Sequence, residues 1–77
     1  MADNPQSVGL IINRCRQANL QCAALFGQQG VKAIDSAIAS ALTTFDLLEV
    51  AGLPPIEAVE WLRNFADCME REVMANG

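Results

Sequence analysis

VKAIDSAIASALTTFDLLEVAGLPP, residues 31–55, contains a helix, its termination and the start of the next helix in one run. Val31, Ile34, Ile38, Ala41, Phe45 and Leu48 recur at alternating steps of three and four, a spacing that lines one side of an α-helix. The end is specified locally. Gly52 stands where a left-handed residue closes a helix, Leu53 falls where a Schellman motif brings an apolar residue against Leu48, and Pro54 blocks continuation.

The same spacing recurs on both sides. Before this stretch it takes in Val8, Ile11, Cys15, Ala18, Cys22 and Leu25; after it, Val59, Leu62, Ala66, Met69 and Val73. Asn4-Pro5 fits an N-cap followed by a first-turn proline, and Gly27-Gln28-Gln29-Gly30 offers two glycines for a tight reversal. Pro54 and Pro55 open the third helix, with Glu57 and Glu60 near its positive end and Arg71 towards its negative end. The reading predicts helices over about residues 5–26, 31–51 and 55–75, each roughly 32 Å long at 1.5 Å per residue. They make one domain, 1–77. The fold class is all-α: an antiparallel three-helix bundle, or a helical hairpin plus a third helix completed by self-association.

A chain of 77 residues has room for one small core. Such a core rarely contributes more than about 3–5 kcal/mol of net stability without a metal, disulfides or a partner subunit. Apolar residues make up 52% of the chain and charged ones only 18%. With so little charge the surface must carry apolar area, which also favours self-association, a dimer first.

Five basic against nine acidic residues leave a net charge of −4, which repels phosphate backbones and argues against nucleic acid as a partner. The charge is graded along the chain: Arg14 and Arg16 lie in the first helix, while the acids collect in the second and third. That gradient suits antiparallel self-pairing or a basic partner, although scattered charge also serves solubility alone. Residues 1–5 carry an acid where a secretory signal would carry bases. Lys32, Asp35, Asp46 and Glu49 interrupt the most apolar helix, so no membrane-spanning segment is predicted and the expected location is cytoplasmic.

Apolar residues exceed what three seams need. On the third helix Trp61, Phe65 and Cys68 widen the apolar arc, either as plain core against two neighbours or as an external interface anchored by two of the chain's four aromatics. On the first helix Leu10, Ile12, Leu20 and Phe26 lie outside the seam, as stray surface residues or as a second covered side. These seven residues are the candidate interface. The second helix is rich in alanine and serine and reads as the closely packed central element.

No catalytic, cofactor or metal site is predicted. The chain has no histidine and no tyrosine, and its one lysine is Lys32. Cys15 and Cys22 are separated by roughly 10 Å of helix rise, too far for a disulfide or a shared metal ion, and Cys68 alone can approach either of them across a bundle. Three thiols in a reducing compartment are expected to serve as small buried apolar groups. Glu57 with Glu60 and Asp67 with Glu70 are spaced as carboxylate pairs but fall on a solvated face. The expected function is therefore a non-enzymatic helical interaction module for a protein partner: a regulator, inhibitor or adaptor. The alternative is an oligomeric small-ligand-binding protein whose site lies at a subunit seam near Arg14, Arg16, Arg63 and Gln28-Gln29.

Overall fold

The computed structural model describes residues 5–77; the N-cap expected at Asn4 lies outside them. Among the described residues there are three helices and no strand: α1 (Pro5–Gln28), α2 (Ala33–Val50) and α3 (Pro55–Asn76). The all-α, three-helix class holds. The helices have 24, 18 and 22 residues, so the matched lengths expected from the sequence give way to a short central helix.

Two boundaries move for one reason. Helix α1 runs two residues past its expected end because the left-handed position is Gly30 (φ +93°) and not Gly27, which is helical. The Val31 amide then donates to the Phe26 carbonyl at 3.0 Å and the Gly30 amide to Gly27 at 3.1 Å, the paired bonds of a Schellman motif. Val31 is consumed in closing α1 and cannot begin α2. Lys32 takes the N-cap position instead, its carbonyl accepting from the Ser36 amide at 3.1 Å.

The two glycines therefore respond oppositely to substitution. A Cβ at Gly27 meets nothing within 4 Å, so Gly27→Ala should raise stability by about 0.5–1 kcal/mol through helix propensity. Gly30→Ala should lower it by about 1 kcal/mol, because alanine is strained at positive φ. Thermal melts of the two variants, shifted in opposite directions, check both.

The stop at the end of α2 forms as its sequence requires. Gly52 has φ +97°; its amide donates to Glu49 at 2.9 Å, and the Leu53 amide donates to Leu48 at 3.0 Å. Pro54 is extended, as the residue before a proline must be, and Pro55 takes the first helical position. Glu57 lies in the first turn of α3. Arg71 falls short of the last turn, which holds no base, so it does not compensate the helix dipole.

The chain divides into two compact units within α2, Met1–Ile38 and Ala39–Gly77. In the second unit the core sits at the α2–α3 turn. Ala58 is fully buried there, and Thr44, Phe45, Leu48, Leu53, Val59 and Leu62 are half-buried. A four-residue connection brings the two helices back on each other, and alanine at the contact lets their backbones approach closely. Thr43 and Thr44 donate their hydroxyls to the Ala39 and Ser40 carbonyls at 2.9 Å, which satisfies them within the helix. Among the described residues of the first unit, only Ala23 and Ser36 are half-buried.

The seams thus become core at one place only. Phe45, Leu48, Val59 and Leu62 follow the expectation, whereas the whole α1 seam, Ile34 and Ile38 in α2, and Ala66, Met69 and Val73 in α3 are exposed. The three cysteines depart from expectation in the same way. Cys15, Cys22 and Cys68 are free thiols on the surface, not buried apolar groups. A helix has one apolar period but several possible neighbours, so the period marks a face that needs cover without fixing what covers it.

Candidate interaction face

Trp61 and Phe65 are one turn apart on α3, and their rings stack with centroids 5.4 Å apart and planes 10° from parallel. The i, i+4 spacing dictates this neighbourhood, and the near-parallel geometry is one of the favoured aromatic arrangements. The pair remains open to solvent: Trp61 is 42% and Phe65 52% exposed. Two large rings held against each other form a rigid apolar surface with little rotamer entropy left to lose on binding.

The stripe continues along the helix. Cys68 follows three residues after Phe65, exposed, and Arg71 donates through Nη2 to its Sγ at 3.2 Å. Beyond it Cys68, Arg71, Glu72, Ala75 and Asn76 line an open depression of about 490 Å³. One helix walls it, so a small molecule there would keep much of its surface in water, unlike the enclosure of typical ligand sites. Glu57, Glu60, Asp67 and Glu70 are all exposed, as expected of a solvated face. Among the described residues no three His, Cys, Asp or Glu side chains come together as a metal cage.

The α1 candidates are exposed but do not form one patch. At about 100° per residue, Ile12 and Phe26 lie some 40° apart on the helix, Leu20 is about 80° beyond Ile12, and Leu10 is on nearly the opposite side. The coherent face of α1 is the seam assigned to the core from sequence. Val8, Ile11 and Leu25 are 46, 60 and 58% exposed, and Cys15, Ala18 and Cys22 between them are exposed as well. The low charged fraction signalled that apolar residues would be displayed somewhere; it held no information on which ones.

Among the described residues no helix is long and apolar enough to cross a membrane. No family model matches the chain, and neither the curated proteins nor the solved structures contain a detectable relative.

Proposed function

We propose that this chain is a non-enzymatic helical protein–protein interaction module, acting as a regulator, inhibitor or adaptor in the cytoplasm, and that it works as a homo-oligomer, most simply a dimer. The observation that carries the reading is the exposed, stacked Trp61–Phe65 pair on α3. Rigid aromatics at low entropy cost are the side chains that dominate binding hot spots. The apolar side chains displayed along α1 add to it, because apolar area left in water favours association.

Affinity capture from the native host tests the reading when run on the wild type and a folded Trp61→Ala, Phe65→Ala variant side by side. A partner held by the wild type and lost from the variant is the expected result; the same partners on both would refute it. Thermal melts against nucleotide and metabolite panels should show no shift, whereas a saturable rise in Tm would favour the ligand-binding alternative.

A further inference from the structure

We infer that a second copy of this chain covers α1, with the α1 seam of one copy packed against the Trp61–Phe65–Cys68 stripe of α3 in the other. This rests on the self-association in the proposed function, adds which faces meet, and makes any protein partner at Trp61–Phe65 a competitor of the second copy.

The first argument is shape. The α1 face keeps one register from Val8 to Leu25, a span of roughly 26 Å. Its middle is formed by the small side chains Cys15, Ala18 and Cys22, with larger Val8, Ile11 and Leu25 towards the ends. Small residues between large ones leave a hollow, and the stacked rings on α3 are the largest exposed knobs available to fill it. Both faces are exposed in the single chain.

The second argument is charge. The described part of α1 carries Arg14 and Arg16 and no acid; at about 100° per residue Arg14 borders the seam and Arg16 lies some 130° from its middle. Helix α3 carries Glu57, Glu60, Asp67, Glu70 and Glu72 against Arg63 and Arg71. Pairing α1 with α1 sets arginine beside arginine, and pairing α3 with α3 sets an acidic helix against itself. Pairing α1 with α3 joins opposite signs. Helix α2 is acidic too, but its one aromatic, Phe45, is already half-buried at the turn into α3. Two copies related by a twofold axis make the α1–α3 contact twice, which doubles the area covered.

The three cysteines provide the test, since Cys15 and Cys22 lie on one proposed face and Cys68 on the other. Light scattering of the full chain should give twice the 8.3 kDa chain mass. A short bismaleimide applied to a mixture of ¹⁵N-labelled and unlabelled chains should then join Cys15 or Cys22 of one isotope to Cys68 of the other. A dimer whose cross-links run only among Cys15 and Cys22, or only within one copy, overturns this inference and leaves self-association standing. A chain that stays at single mass through the millimolar range overturns both.

A charge exchange tests the contact without cysteine chemistry. Arg14→Glu with Arg16→Glu, and separately Glu57→Arg with Glu72→Arg, should each weaken the dimer about tenfold at low salt. Mixing the two variants should restore affinity, because the altered α1 then meets the altered α3. A mixture no tighter than either parent would overturn the inference.

Discussion

Replacing Trp61 and Phe65 together with alanine is expected to weaken association at least about thirtyfold while leaving the helix content unchanged. Truncating a hot-spot aromatic typically costs about 2 kcal/mol or more, and each 1.4 kcal/mol is a factor of ten in Kd. The folded chain loses little. Both rings are about half exposed, their mutual stacking contributes about 0.5–1.5 kcal/mol, and alanine recovers part of that through its higher helix propensity. Far-UV circular dichroism and the melting temperature of the dilute chain therefore serve as the control. Unchanged Kd in a folded double variant would show that the stack is not the binding surface.

The largest effect on folding is expected at Ala58. This alanine is fully buried where α3 leaves the turn from α2. Leucine there must push the helices apart or leave its preferred rotamer, and overpacking of this kind costs about 1–3 kcal/mol. A core this small has about 3–5 kcal/mol in total, so Ala58→Leu should lower the melting temperature on the order of 10 °C. The matched control is Ala66→Leu, two turns further along α3. From spacing alone Ala66 belongs to the seam and the substitution should be felt; in the structure it is exposed, and a change within about 0.5 kcal/mol is expected. Melts of the two variants separate the periodic reading from the observed burial.

Residue by residue, the sequence proved most informative where structure is made by near neighbours. The stop at Gly52-Leu53-Pro54 was fully legible, because a Schellman motif involves six consecutive residues and proline acts on the residue before it. The turn at 27–30 was legible as a turn but not in its register. Two glycines offered the left-handed position, and the choice of Gly30 moved the end of α1 and the start of α2 together. The Trp61–Phe65 stack follows from i, i+4 spacing on a helix, so the candidate face could be named from sequence and its geometry needed only the backbone.

The seams divide differently. Val59, Leu62 and Ala66 share one spacing, yet the first two are half-buried and the third is exposed. Ala58 lies outside the seam and is the most completely buried of the described residues. The sequence by itself determined the three helices, the stop of α2 and which side of each helix is apolar, since these depend on backbone preferences and on contacts a few residues apart. Only the tertiary structure decided that the turn between α2 and α3 becomes core while the α1 seam stays at the surface. Burial belongs to pairs of elements, and whether an apolar side is interior or interface depends on the partner that reaches it.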